Sequence, residues 1–118
     1  MSRVLRLSDR NFDEEVFHSE IPVLVDFWAS WCPPCKVMEP VLNELARGYT
    51  GRVKIGKINV DQNPINGAKY RIKGVPTFIL FASGEVVEER VGAQSKSQLE
   101  AMIALVAVPH AREAARDH

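Results

Sequence analysis

The sequence predicts an α/β fold in which a central mixed five-stranded sheet is flanked by about four helices. Two observations support this prediction. Apolar runs of strand length alternate with segments of helical periodicity, which is typical of parallel strands with helices on the sheet faces. Later in the chain, the turn at residues 82–85 joins two strand-like segments directly. A hairpin there makes the last strand antiparallel to its neighbour, so the sheet should be mixed.

The first half of the chain is predicted to supply two strands and two helices. Residues 4–7 suit a short edge strand, and residues 8–18 suit a first helix. On that helix, one face should carry the apolar side chains of Phe12, Val16 and Phe17. Residues 23–29 are apolar with one exception, which favours a central strand buried on both faces. Residues 36–49 form a long amphipathic helix that Pro40 should kink.

The second half is predicted to supply three strands and two helices. Residues 53–60 contain a strand, and residues 65–70 form a short helix after a turn. Residues 78–81 are a buried apolar strand, and residues 87–91 return beside it with alternating side chains. A final helix begins in a possible capping box at residue 95. Its buried stripe should be Leu99, Met102, Ile103 and Val106.

Length and charge narrow the class of protein. The chain has 118 residues, enough for one domain with a real core, and 15 basic residues balance 15 acidic ones. This balance gives no indication of nucleic-acid binding, and no apolar run approaches the length of a membrane span. The first residues lack the apolar core of a signal peptide, so we expect a cytoplasmic location. Residues 1–108 should form the domain, with Pro109 ending its last helix and residues 109–118 a short charged tail.

The two cysteines of the chain are separated by two residues, at the junction of a predicted strand and a predicted helix. A thiolate is the form of cysteine that attacks disulfides, and a helix N-terminus favours anions. Cys32 lies just before the helix and Cys35 about one turn inside it, on the same face. We therefore expect Cys32 to be the attacking sulfur, presented to solvent, and Cys35 to be the resolving sulfur.

Both residues between the cysteines are prolines. A residue that precedes a proline is disfavoured in the helical region, so Pro33 should be extended and the helix should begin near Pro34. Neither proline has an N–H group to donate to sulfur. The Cys35 N–H is then the nearest backbone donor left for the Cys32 thiolate. This turn should be stiff, and its reduction potential should differ from that of a Gly-Pro turn.

Two other interpretations of the cysteine pair stay open at this point. The pair could be half of a zinc site, but structural zinc normally needs four ligands. The remaining candidates, His18, His110 and His118, have no ligand-like spacing, so we predict no metal. The cysteines could also be merely buried and structural, although a Trp-Cys-Pro-Pro-Cys turn is a less plausible place for that than an apolar element.

Asp26 is the one charged residue in the apolar run that precedes the cysteines. If the strand is central, the carboxyl group is buried, and its pKa should rise because an ionised carboxylate is costly away from water. The alternative is an ordinary strand residue that points to solvent at a sheet edge. The apolar neighbours on both sides favour burial.

These features together resemble the thioredoxin family, over nearly the whole chain up to about residue 107. The segments that carry the resemblance are residues 25–29, residues 31–36 (Trp-Cys-Pro-Pro-Cys-Lys), Pro40, residues 58–64, residues 74–77 (Gly-Val-Pro-Thr), Gly84 and residues 91–93. Most members carry Gly-Pro between the cysteines. The Pro-Pro pair is similar to the site of tryparedoxins and nucleoredoxins, and it bears on the reduction potential and the electron donor rather than on fold or reaction type.

The resemblance implies a thioredoxin fold and roles for several residues at the cysteines. Asp26 would be the general acid and base for Cys35, with Lys57 as its partner. Trp28 would pack under the site, where Pro33 and Pro40 also shape the structure. The residue matching Pro76 has a cis peptide bond in this family and faces the cysteines.

The resemblance also implies a substrate surface. The backbone of Val75 would pair with an extended segment of the substrate, and Gly92 would let the substrate backbone approach. Trp31 and Pro34 would complete a flat apolar patch with Pro76 and Gly92.

The function implied is the reduction of disulfides in target proteins by a monomeric protein without a bound cofactor, with electrons supplied by a thioredoxin reductase. One alternative is an oxidase or isomerase of protein disulfides. Another is a thioredoxin-like binding or chaperone module in which the cysteines are incidental.

Overall fold

The computed structural model describes residues 3–106, and these form a five-stranded mixed sheet in the order β1-β3-β2-β4-β5. The strands are β1 (Leu5–Leu7), β2 (Val23–Trp28), β3 (Lys54–Asn59), β4 (Thr77–Ala82) and β5 (Glu85–Val91). β3 pairs in parallel with both β1 and β2, whereas β4 is antiparallel to β2 and to β5. The predicted fold class, the edge position of β1 and the central position of β2 are confirmed.

Within residues 3–106, four α-helices lie between or after the strands: α1 (Pro33–Val37), α2 (Glu39–Gly48), α3 (Pro64–Lys69) and α4 (Lys96–Ile103). The long helix predicted after the cysteines is interrupted at Met38, so α1 and α2 are separate helices. Pro40 lies in the first turn of α2, where a missing N–H group costs no helical hydrogen bond. The predicted long helix is thus divided into two helices instead of being kinked at Pro40.

The first predicted helix is the largest error in the secondary structure. Residues 13–17 form a short π-helix, Asp13–Phe17, in which the His18 N–H donates to the Asp13 carbonyl oxygen at 2.9 Å. Phe12 and Val16 are buried as predicted, but Phe17 is 48% exposed. The π turn does not follow the 3.6-residue period from which a shared face was predicted.

Apolar side chains on the two faces of the sheet form two cores. One core joins β2 and β4 to α2 and α4, with Leu24, Leu42 and Leu99 among its buried members. The other lies under the π-helix and α3, where the aromatic rings pack on one another: Phe12, Phe27, Tyr70 and Phe81. Because β2 is buried on both faces, its carboxyl end is held rigidly, and the cysteines follow that end.

The last helix confirms its predicted start. The Ser95 Oγ accepts from the Gln98 N–H at 3.1 Å, and the Gln98 side chain accepts from the Ser95 N–H at 2.7 Å. The predicted stripe is buried at Leu99, Met102 and Ile103 and partly buried at Val106. Pro109 and the tail at residues 109–118 lie outside the described residues, so the domain boundary at residue 108 stays a prediction. Within residues 3–106, no helix has the length and apolar character needed to cross a membrane.

Candidate redox site

The cysteines sit where β2 ends and α1 begins, and they form a disulfide in this structure. Cys32 is the N-cap residue of α1, and Cys35 lies one turn inside, with the two Cα atoms 5.3 Å apart. The Cys35 N–H donates to the Cys32 Sγ at 3.2 Å. It is thus the backbone donor at this sulfur, as the two prolines led us to infer.

The prediction that Pro33 is extended is wrong. Cys32 is the extended residue, with φ −102° and ψ 105°, and Pro33 is already the first residue of α1. The preference of a residue before proline for extended backbone acts on both Cys32 and Pro33. At Pro33 the helical conformation prevails over this preference. It is stabilised by the Cys35 N–H, which donates to both the carbonyl oxygen and the sulfur of Cys32.

The expectation that the Cys32 sulfur is presented to solvent is also wrong for this disulfide state. Cys32 is 2% exposed and Cys35 is 3% exposed. The two cysteines cluster with Ala29, and the partly buried side chains of Trp28 and Val75 pack against them. In this disulfide state neither sulfur is therefore presented at an open surface.

Two of the predicted substrate residues, Val75 and Pro76, belong to the segment that lies beside Cys32. The carbonyl oxygen of Val75 lies 3.6 Å from the Cys32 Sγ. The Val75–Pro76 peptide bond is cis, as the family resemblance led us to expect, and Pro76 is buried. Position 75 thus brings polar backbone next to the Cys32 sulfur.

Gly92 is joined to Pro76 by a backbone hydrogen bond. Its N–H donates to the Pro76 carbonyl oxygen at 2.7 Å, and its φ is +96°, a conformation that favours glycine. A Cβ atom at this position would meet nothing within 4 Å. The structure therefore leaves open space beside Gly92, into which another chain could fit.

Trp31 and Pro34 are exposed, as the predicted apolar patch requires, whereas Pro76, which was predicted to share that patch, is buried. Trp31 is 67% exposed, and its Nε1–H donates to the Asp61 Oδ2 at 2.9 Å. The Asp61 N–H in turn donates to the Asn59 Oδ1 at 2.9 Å. Asp61 was given no role from the sequence. It lies in a turn and in a segment that resembles the family, and neither signal reveals a contact across 30 residues.

Asp26 lies in the middle of β2, between Lys57 on β3 and Phe78 on β4. It is 2% exposed, and its Oδ1 has no hydrogen-bond partner within residues 3–106. Burial raises the pKa of Asp26 from 3.8 to about 7; the charge of Lys57 lowers it, and the charge of Glu39 raises it further. The predicted burial of Asp26 is confirmed and the sheet-edge alternative is excluded.

Lys57 contacts two groups near Asp26. Its ammonium Nζ lies 3.8 Å from the Glu39 Oε2 and 5.3 Å from the centroid of the Trp28 ring. Trp28 is partly buried and packs against the cysteines, as expected of a tryptophan beneath the site. Glu39 was not predicted, because nothing in the local sequence indicates that the start of α2 faces β3.

Two further predictions concern the surroundings of the site. Pro40 is exposed in the first turn of α2 and has no contact with the cysteines among those described, so its structural role is the helix break. In residues 3–106, no group of three or more His, Cys, Asp or Glu side chains is arranged to hold a metal ion.

Comparison with known proteins agrees with this geometry. The thioredoxin family model matches residues 3–105. A thioredoxin of Allochromatium vinosum is 50% identical over 100 residues, which covers 85% of this chain and 94% of the relative. Thioredoxins of Haemophilus influenzae and Pseudomonas aeruginosa are 48% and 46% identical, covering 84% and 85% of this chain and 92% and 93% of their own lengths. With a cysteine pair at the end of β2 and this match along nearly the whole described chain, the protein belongs to the thioredoxin family.

Proposed function

We propose that the protein reduces disulfides in other proteins, with Cys32 as the attacking sulfur and Cys35 as the resolving sulfur. The observation that carries the proposal is the position of the Cys32–Cys35 disulfide at the start of α1, where the Cys35 N–H is directed at the Cys32 Sγ. That donor and the positive end of the helix would both stabilise a thiolate on Cys32. Cys35 lies inside α1 rather than at its N-cap, so its sulfur lacks this stabilisation.

The cycle begins from the reduced dithiol. The Cys32 thiolate attacks one sulfur of a target disulfide, so a mixed disulfide forms and the other target sulfur leaves as a thiolate that takes up a proton. Cys35 then loses its proton and attacks the Cys32 sulfur. The second target thiolate leaves, and two electrons have passed to the target. The protein is left with the Cys32–Cys35 disulfide seen in this structure.

Asp26 is the group proposed to take the proton from Cys35. A carboxyl group with a pKa of about 7 can both accept and return a proton near neutral pH, which an ordinary aspartate does poorly. Its burial in β2 would keep competing water away. Lys57 is proposed to assist by its charge, which lowers the pKa of Asp26.

The substrate is proposed to lie along Val75 and Gly92, beside Cys32. The backbone of Val75 would pair with an extended target segment, as when a strand is added to a sheet. The open space beside Gly92 would hold the next part of that segment. The exposed faces of Trp31 and Pro34 would cover its apolar side chains. Such contacts rely on the target backbone, so many different proteins could be substrates.

The members of this family imply two kinds of partner, disulfide-containing substrates and a reductase that returns the electrons. We propose a thioredoxin reductase as that donor. The monomeric state, the absence of a bound cofactor and the cytoplasmic location stay predictions.

The test is the reduction of insulin disulfides in the presence of a thioredoxin reductase and NADPH. The parent protein should precipitate reduced insulin and consume NADPH, and Cys32→Ser should do neither. Cys35→Ser should instead accumulate a mixed disulfide with the target at Cys32. If Cys32→Ser kept full function in cells, the binding-module alternative would replace this proposal. A reduction potential high enough to oxidise target dithiols would favour the oxidase or isomerase alternative.

A further inference from the structure

Glu39 is the first residue of α2, and its side chain lies near β3. Its Oε2 lies 3.8 Å from the Lys57 Nζ. Lys57 is the residue directly opposite Asp26 in the parallel pairing of β2 with β3. No ion pair joins Lys57 to Asp26 in residues 3–106, and the Asp26 Oδ1 has no hydrogen-bond partner there. The ammonium group that could neutralise the buried carboxyl is thus paired with a different acid.

The ammonium group of Lys57 lies between two groups that attract it. The Trp28 ring centroid is 5.3 Å from the Nζ, within the range of a cation–π contact. Glu39 is the second group, and the side chains of Lys57 and Glu39 are 30% and 55% exposed. The break at Met38 makes Glu39 the first residue of α2 and so brings its carboxylate toward β3.

We propose that Glu39 is a positioning residue, which holds the Lys57 ammonium toward solvent and Trp28 and so keeps it from forming a direct ion pair with the Asp26 carboxyl. This proposal rests on the proposed function in one respect: it affects the reaction only if Asp26 takes the proton from Cys35. That Lys57 pairs with Glu39 rather than with Asp26 does not depend on any catalytic role.

The charges around Asp26 make the direction of the effect clear. Lys57 faces it from β3 and Glu39 from α2, while its neighbour on β4 is Phe78, which carries no charge. Removing the Glu39 charge takes away a group that raises the pKa of Asp26. The same change frees Lys57 to approach the carboxyl, which lowers that pKa further. Both effects favour the ionised form of Asp26.

An ordinary role for Glu39 is also available, because an acidic residue in the first turn of a helix stabilises the helix dipole. That role predicts a small loss of stability in a Glu39→Gln variant and no dependence of the Asp26 titration on Lys57 beyond the direct effect of each charge. The two roles are therefore separated by titrating the Asp26 carboxyl with and without Lys57.

The experiment is a titration of the Asp26 carboxyl carbon by NMR in the oxidised full-length protein. Glu39→Gln should lower the pKa of Asp26 by about half a unit, since an ion pair this exposed is worth only a fraction of a kcal/mol. The matched control is Glu44→Gln. Glu44 lies on the same helix, its Oε1 is also 3.8 Å from a lysine, Lys96, and the pair is similarly exposed. This control should leave the Asp26 titration unchanged, and an equal shift in both variants, or none in Glu39→Gln, would overturn the proposal.

A second step tests whether Glu39 acts through Lys57. In a Lys57→Gln background, Glu39→Gln should shift the pKa of Asp26 by less than half as much as it does in the parent. An undiminished shift would mean that Glu39 acts only by its own charge, and the positioning role would be wrong.

The pH dependence of the reaction distinguishes a failure of this proposal from a failure of the proposed function. The pH midpoint for resolution of the mixed disulfide should fall in Glu39→Gln along with the Asp26 titration. If the titration moves and the midpoint does not, Glu39 still positions Lys57, but the role of Asp26 toward Cys35 is wrong.

Discussion

The buried carboxyl of Asp26 is the group that we propose takes the proton from Cys35. It lies on β2, where it is 2% exposed, and its Oδ1 has no hydrogen-bond partner within residues 3–106. Such a position destabilises the fold whenever the group is ionised. A protein that keeps a group at this cost gains a proton acceptor whose pKa of about 7 matches neutral conditions.

Replacement of Asp26 should therefore change how stability depends on pH. In the folded protein the pKa is raised from 3.8 to about 7, so the folded state holds the proton more tightly than the unfolded chain. The parent should be most stable with respect to this group below pH 4 and should lose about 4 kcal/mol of unfolding free energy as the pH rises to 7, since roughly three pKa units are worth 1.36 kcal/mol each. Asp26→Asn should lack this loss.

Urea unfolding of the parent and Asp26→Asn at pH 4 and pH 8 measures this difference. Asp13→Asn, an exposed residue at the start of the π-helix, is the control and should follow the parent at both pH values. Parallel stability curves for the parent and Asp26→Asn would contradict the raised pKa.

At the level of elements, the start of α1 determines the geometry of the two sulfurs. Pro33 and Pro34 occupy its first turn, where proline fits without loss of a hydrogen bond. Two consecutive prolines also restrict the reduced chain, so little freedom is lost when the disulfide closes. The Pro-Pro pair should thus favour the disulfide form.

Pro33→Gly should raise the reduction potential by about 20 mV, the equivalent of about 1 kcal/mol for a two-electron couple. Glycine loosens the dithiol form, and its N–H adds a possible donor to the Cys32 thiolate, so both effects stabilise the reduced protein. Equilibration with glutathione redox buffers, followed by separation of the two forms, measures the potential. An unchanged or lower potential would contradict the expected stiffness of this turn.

The packing of the central strands gives a second prediction at this scale. Gly56 lies on β3 between β1 and β2, and a Cβ there would come within 2.6 Å of the Leu7 Cδ1. Because Leu7 is itself buried, Gly56→Ala should cost about 1–3 kcal/mol of stability. Gly48, in the last turn of α2, has open space around it, and Gly48→Ala should instead add up to about 1 kcal/mol. Thermal unfolding compares the two, and equal stability of both variants would contradict the close packing at Gly56.

At the scale of the whole molecule, the sequence predicted the elements better than their contacts. Strong periodicity and turn residues located all five strands, the hairpin and the capping box at Ser95. Local rules failed where two preferences compete. Pro33 is helical against the rule for a residue before proline, and residues 13–17 form a π-helix whose winding the usual helical period does not describe.

The site was predicted in part for the same reason. Asp26 was predicted, because a single charged residue in an apolar strand can be recognised in the sequence. Asp61 and Glu39 were not predicted, since each contacts its partner only after distant segments have packed. Asp61 contacts Trp31, and Glu39 contacts Lys57. The burial of Cys32 depends in the same way on Val75, which lies 43 residues away.

The central claim is that the start of α1 makes one cysteine a nucleophile while the other stays protected. The most direct measurement is alkylation of the fully reduced protein by iodoacetamide at pH 7, with each modified cysteine identified by peptide mass. Cys32 should react at least about ten times faster than Cys35 and faster than an ordinary free thiol, because its thiolate is stabilised by the helix start and the Cys35 N–H. Equal rates at the two cysteines, or a Cys32 no faster than glutathione, would contradict this claim.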